Sequence, residues 1–254
     1  MPGESTIANA ELDSYLASFV SAGKLDRFDA ALQNRTRHIT VALEDVYQRQ
    51  NASAVLRSCD CFGIQDVHVI ENELPFRINP DVARGAAQWL SVRSHSSEDN
   101  PRIIGANTSD CIRALRDQGY RIIATAPSSS GIPLEEYDIT AKTAIFFGTE
   151  KRGLSPIARD QADGFLTIPM HGLTRSFNLS VAVALCLYEL TRKLRESNIP
   201  WQLSDDERAA LRSEWVRLVL KKRLRDHETT FLRLIAERMP ARQDLRAAID
   251  TPGD

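Results

Sequence analysis

The sequence predicts an α/β protein built on a largely parallel sheet. Three observations carry that prediction. Short apolar runs alternate with amphipathic helical segments between residues 38 and 196, two of those segments close on glycine, and both ends of the chain lack β-rich runs and read as helix.

Taken in order, residues 9–34 set Leu12, Tyr15, Leu16, Phe19, Val20, Leu25, Phe28 and Leu32 among polar positions, the spacing of short amphipathic helices. HITVALED (38–45) reads as a strand, NASAVLRSCDCFG (51–63) as a helix closed by Gly63, and VHVIEN (67–72) as a second strand, together a βαβ unit. SDCIRALRDQGY (109–120) is a helix with a glycine stop, and RIIATAP (121–127) a strand. TAIFFG (143–148) reads as a buried strand, LSPIARDQ (154–161) as a helix and GFLTIPM (164–170) as a strand. NLSVAVALCLYELTRKLRE (178–196) is apolar nearly all round in its first half, which predicts a helix buried there. Beyond Pro200 the segment 201–235 reads as one or two amphipathic helices, with Asp205, Asp206 and Glu207 suited to a helix N-terminus.

Composition bounds the rest. With 254 residues and 43% hydrophobic content the chain can bury one substantial core, plus a smaller appended segment. The expected division is an N-terminal helical extension over 1–35, the α/β domain over 36–198, and a partly basic helical extension over 199–254. Thirty-two basic residues against thirty-four acidic ones give no global positive field, so a nucleic acid would have to meet local patches. One such patch lies between Arg208 and Arg233, where eight Lys/Arg (208, 212, 217, 221, 222, 223, 225, 233) face three acids (214, 226, 228). No apolar run reaches the roughly 18 residues of a membrane span, and the N-terminus has no signal-peptide pattern, so a soluble, cytoplasmic protein is expected. Cys59, Cys61, Cys111 and Cys186 form no CxxC pair, which predicts buried reduced thiols and neither a disulfide framework nor a metal site.

The segment TAIFFGTEKRGLSP (143–156) breaks from apolar strand into glycine, charge and a second glycine. Gly148 and Gly153 have the spacing of a phosphate-binding P-loop, but that motif continues with Lys-Ser/Thr and this chain with Leu154-Ser155. Ligands of open parallel sheets sit at the carboxyl ends of the strands, and glycine-bearing loops follow Ala124, Phe147 and Ile168 there. Two further stretches accompany the loop holding Glu150. Asn51 stands at a helix start, where it can cap the backbone, with Arg57 nearly two turns on. In IPMHGLTRSFNLSVA, Pro169 and Gly172 frame a loop that delivers Arg175, Ser176 and Asn178 to the buried helix.

In this order and spacing the three stretches closely resemble the SpoU branch of the SPOUT RNA 2′-O-methyltransferases, and within it the TrmH-type tRNA enzymes. The first motif is met by Asn51, Ala54, Arg57, Phe62 and Gly63, the second by Gly148, Glu150, Gly153 and Leu154. The third is met by Ile168, Pro169, Met170, Gly172, Ser176, Asn178, Ser180 and Ala182, and the likeness covers about 36–195. The resemblance implies a SPOUT-type α/β knot, a deep trefoil threading of the C-terminal part. It also implies a homodimer with the apolar helix at its interface, tRNA as partner, and S-adenosylmethionine as methyl donor with no metal. Cofactor contacts, carried over by the same resemblance, fall on Ala124, Thr125, Gly148, Ile168, Met170, Gly172, Leu173, Ser176 and Phe177. The glycines of the second motif would let backbone approach the cofactor.

The resemblance makes Arg57 the central catalytic residue. A guanidinium is a poor base at neutral pH, so a bidentate grip on an RNA phosphate that orients the 2′-hydroxyl suits it better. Asn51 would position Arg57 or the ribose, and Glu150 and Asn178 would hold the motif loops and Arg57. Arg35, Arg37, His38 and Arg84 are candidate phosphate contacts, as are Arg175, Lys221, Lys222 and Arg223. The likeness is greatest to enzymes acting on the D-loop guanosine at position 18 of tRNA. An rRNA 2′-O-methyltransferase of the same family is the alternative, though 35 N-terminal residues leave no room for the L30e-like domain often found there. A non-catalytic RNA-binding module is a third reading, against which intact Asn51, Arg57, Glu150 and Asn178 argue.

Overall fold

A computed structural model describes residues 11–96, 105–126 and 131–238 of the chain. Residues 9–10, Pro127 and everything beyond 238, which the sequence assigns to predicted elements, lie outside them. The elements run α1 (Ala22–Leu32), β1 (Ile39–Glu44), α2 (Arg49–Phe62), β2 (Asp66–Glu71), α3 (Pro80–Ala83), β3 (Ser91–Ser96) and α4 (Ala106–Asp117). There follow β4 (Arg121–Thr125), β5 (Ile132–Pro133), β6 (Thr143–Phe147), α5 (Pro156–Asp160), β7 (Gly164–Thr167), α6 (Leu179–Glu196), α7 (Asp205–Val219) and α8 (Leu224–Arg238). Residues 11–17 are also helical.

The described residues form two compact units, one within 34–203 and one formed jointly by 11–33 and 204–238. In the larger, seven parallel strands lie in the order β3-β2-β1-β6-β4-β7-β5. β1 and β6 are buried along their whole length, as a sheet covered on both faces requires. One face packs Val41, Leu43 and Ile145 against Val55, Leu56 and Cys59 of α2 and Val183, Leu187 and Leu190 of α6. The other packs Ala42, Ile70, Ile122 and Phe146 against Cys111, Ile112 and Leu115 of α4 and Ala158 of α5.

Two strands escape the sequence reading. β3 (SVRSHS) is an edge strand whose residues are exposed or half-buried, so no apolar run marks it. β5 is two residues long. Helix α2 ends as expected at Gly63, at φ 80°, where an added Cβ would stand 2.2 Å from the Asn34 carbonyl oxygen. Its start differs: Gln48 is the N-cap and Asn51 the third helical residue, so Asn51 does not cap. Helix α6 is only half covered. Leu179, Val183, Cys186, Leu187 and Leu190 are buried while Val181, Leu185 and Tyr188 are exposed. Cys61 is exposed, contrary to expectation, because it lies on the outer side of α2; Cys59, Cys111 and Cys186 are buried free thiols.

In the smaller unit Phe28 of α1 meets Trp215 of α7 edge-on, ring centroids 5.4 Å apart. Arg212 Nε donates to Asp29 Oδ1 at 2.7 Å, and Arg217 pairs with Asp13 at 2.7 Å. A capping box of Ser204 and Glu207 starts α7, with Asp205 and Asp206 in its first turn.

Candidate active site

The carboxyl ends of β4, β6 and β7 open into a cleft of about 650 Å³. Thr125 and Ala126 line it at the end of β4, residues 148–154 after β6, and Ile168, Met170, Arg175, Ser176 and Phe177 after β7. Of the anticipated cofactor contacts, Thr125, Gly148, Ile168, Met170, Ser176 and Phe177 therefore stand on the wall. Three do not. Ala124 is fully buried inside β4, Leu173 is fully exposed on the loop, and Gly172 is not in the lining.

Beside the cleft the three motifs join through one carboxylate. Glu150 Oε1 accepts from Asn51 Nδ2 at 3.0 Å and from Asn178 Nδ2 at 2.7 Å, with the Leu179 amide at 3.4 Å. Asn178 Nδ2 also reaches Asn51 Oδ1 at 3.2 Å. Asn178 is the N-cap of α6, its Oδ1 accepting from the Ser180 amide at 3.0 Å and the Ser180 hydroxyl at 2.6 Å. That cap fixes the amide's orientation and leaves Nδ2 to face Glu150. Asn51 is set in turn by Gln48 Oε1, 2.6 Å from its Nδ2. A smaller hollow lined by Val46, Tyr47, Gln48 and Asn51 adjoins the other side of Glu150.

Gly148 corrects one expectation. A Cβ there would lie 2.1 Å from the Gly153 carbonyl carbon and 2.3 Å from the Leu154 amide, so it is the loop's own backbone that excludes a side chain. The loop closes on itself: the Thr149 and Gly153 amides donate to each other's carbonyls at 3.1 and 2.8 Å, with Gly153 at φ 67°. Glu44, unmarked in the sequence reading, anchors the end of this loop to the start of α5. Its buried carboxylate accepts from the Ser155 amide and hydroxyl, each at 2.7 Å, and from the Thr108 hydroxyl at 2.6 Å. Ser155 caps α5. An acidic residue closing the apolar strand ITVALE was the one available signal.

Arg57 is exposed on α2, outside the cleft lining, and among the described residues it makes no hydrogen bond or ion pair. Asn51, Glu150 and Asn178 bond to one another and not to it, so their expected role of holding Arg57 is not what the single chain displays. Six positions along a helix turn a side chain well away from its starting face. Among the basic candidates, Arg35 is buried, donating to the Ile64 carbonyl at 3.0 Å and pairing with Asp60. Arg37 is held by Asp66 at 2.9 Å, and His38 Nε2 is buried 2.7 Å from the Ile139 carbonyl. These three serve the fold where phosphate contact was anticipated. Arg84, Arg175, Lys221, Lys222 and Arg223 are exposed, the last three in the turn between α7 and α8.

An all-parallel sheet with a ligand-sized cleft at its strand ends, and an Asn–Glu–Asn cluster joining three loops beside it, defines an α/β protein with a ligand site at the carboxyl edge of its sheet. Residues 38–188 match the SpoU rRNA Methylase family, and the chain belongs to it. A tRNA (guanosine(18)-2'-O)-methyltransferase of Borreliella burgdorferi is 40% identical over 206 residues, 81% of this chain and 90% of the relative. The protein of the same name from Escherichia coli K12 is 34% identical over 168 residues, 66% of this chain and 69% of the relative. The crystal structure of the A. aeolicus TrmH/SpoU tRNA modifying enzyme superposes with a TM-score of 0.67 at 27% identity, covering 78% of this chain and 97% of that one.

Proposed function

We propose that this protein methylates the ribose 2′-oxygen of a tRNA guanosine, position 18 in the D-loop, using S-adenosylmethionine. The observation that carries the reading is the Glu150 carboxylate holding Asn51 and Asn178 together beside the cleft, so that all three family motifs meet at one place. Family membership and the names of the relatives point to the same reaction.

The cleft suits the cofactor: about 650 Å³ in volume, it combines apolar Phe147, Leu166, Ile168 and Leu179 with polar strand-end backbone. When bound, S-adenosylmethionine supplies a methyl group already activated on sulfonium. The protein's task is then to place the hydroxyl and assist loss of its proton. Thr125, Gly148, Ile168, Met170, Ser176 and Phe177 would hold the cofactor, and Asn51 would orient the ribose from the smaller hollow. Arg57, exposed and without a partner among the described residues, is available to grip an RNA phosphate in two-pronged fashion. Arg84, Arg175, Lys221, Lys222 and Arg223 would add phosphate contacts, the last three as a docking patch.

The exposed apolar side of α6 (Val181, Leu185, Tyr188) is the face a second copy would cover, making a homodimer. The trefoil threading and a cytoplasmic location belong to the same reading; no described helix is long and apolar enough to cross a membrane. The test is to incubate the protein with methyl-labelled cofactor and unmodified total tRNA, then digest and resolve the nucleosides. Label is expected in 2′-O-methylguanosine, and label on a base or none at all would overturn the proposal.

A further inference from the structure

Away from the cleft, on the sheet face covered by α4, three potential metal ligands converge. His68 on β2 places Nδ1 2.9 Å from Nε2 of His95 on the edge strand β3. The ligand atoms of His68, His95 and Cys111 of α4 all lie within 4.8 Å of one another. Parallel register pairs Ile70 with His95, and Ile70 shares a core cluster with Cys111, so strand geometry and helix packing both direct these groups to one spot. His68 and Cys111 are buried and His95 is half-buried, which leaves one side open for a fourth ligand such as water.

We propose that His68, His95 and Cys111 form a binding site for one borderline transition-metal ion, Zn2+ in the first instance, that clips β3 and α4 to β2. Two imidazoles and a thiolate are the donor set that such ions favour over hard cations. With Zn–N of about 2.0–2.1 Å and tetrahedral angles, the two nitrogens would separate to roughly 3.3–3.4 Å. An edge strand bonded on one side can absorb that shift, while the sulfur closes in. Binding displaces one proton, that of the Cys111 thiol, to solvent; the imidazoles change tautomer only. Asp110 is engaged by Arg113 at 2.5 Å, and Arg93 faces Asp66 at 3.9 Å, so neither ion pair needs to break. Ligands 27 and 43 residues apart along the chain, on three different elements, explain why a search for paired cysteines finds nothing.

The experiment titrates untagged, chelator-treated protein with Zn2+ alone and, separately, with Co2+ alone. One Zn2+ per chain should survive dialysis, and Co2+ should develop a thiolate charge-transfer band in the near ultraviolet. Cys111→Ser should abolish the band, and His95→Ala should weaken Zn2+ binding by more than about a hundredfold, since even supporting groups around a metal contribute that much. His95→Ala, at the half-buried edge, is the variant to use if Cys111→Ser fails to fold. Absence of tight Zn2+, a Co2+ spectrum with no thiolate band, or undiminished binding by folded His95→Ala would overturn the site and leave a hydrogen-bonded histidine pair beside a packing thiol.

Discussion

At the scale of single residues, Arg57 and Glu150 carry the chemistry that mutation can test. Lysine at position 57 keeps the charge but not the planar fork, so Arg57→Lys should lower the methylation rate at least about a hundredfold if phosphate grip sets the geometry. Cofactor affinity, read by calorimetry, should stay the same because Arg57 is outside the cleft lining; near-normal turnover at saturating tRNA would mean charge alone suffices. Glu150→Ala removes the acceptor shared by Asn51 and Asn178. It should cost about 1 kcal/mol in thermal unfolding, because only the Asn51 amide is buried while Glu150 and Asn178 are exposed, and depress methylation far more than it depresses stability. Equal activity of the two proteins would detach this carboxylate from catalysis. The residue types of the site were legible in the sequence because their spacing matches a family. Their partners were not: Asn51 reads as a cap yet sits inside α2, and Arg35 reads as a surface cation yet is buried against Asp60 and the Ile64 carbonyl. Whether a polar side chain faces inward depends on elements far along the chain, which local pattern does not report.

At the scale of elements, apolar strands and amphipathic helices were legible wherever burial is two-sided or periodic, as in β1, β6, α2 and α4. β3 was missed because an edge strand needs no apolar run, and it is the strand that carries His95. The loop after β6 is the element most exposed to test. Because the missing Cβ of Gly148 faces Gly153 and Leu154 backbone at 2.1–2.3 Å, Gly148→Ala must open the Thr149–Gly153 closure. Cofactor affinity should fall at least about tenfold while far-ultraviolet circular dichroism is retained, since a loop displaced by an ångström loses its aligned contacts. Unchanged affinity would place the cofactor elsewhere in the cleft.

At the scale of the whole molecule, the apolar stripe of α6 is legible in the sequence, and the single chain covers one side of it. Leu187 is fully buried within its own chain, so charge placed there would attack the core. Leu185 and Tyr188 are on the exposed side, and Leu185→Arg with Tyr188→Arg should convert a dimer of twice 28.4 kDa into a folded monomer in light scattering. A wild-type mass of one chain at micromolar concentration would remove the dimer from the account. The central claim, however, is chemical: the acceptor is a ribose 2′-oxygen. The most direct measurement compares methyl transfer to two otherwise identical tRNAs, one with guanosine and one with 2′-deoxyguanosine at position 18. Transfer to the first and none to the second is expected, with both still bound; equal transfer to the two would mean that the methyl group goes to another atom.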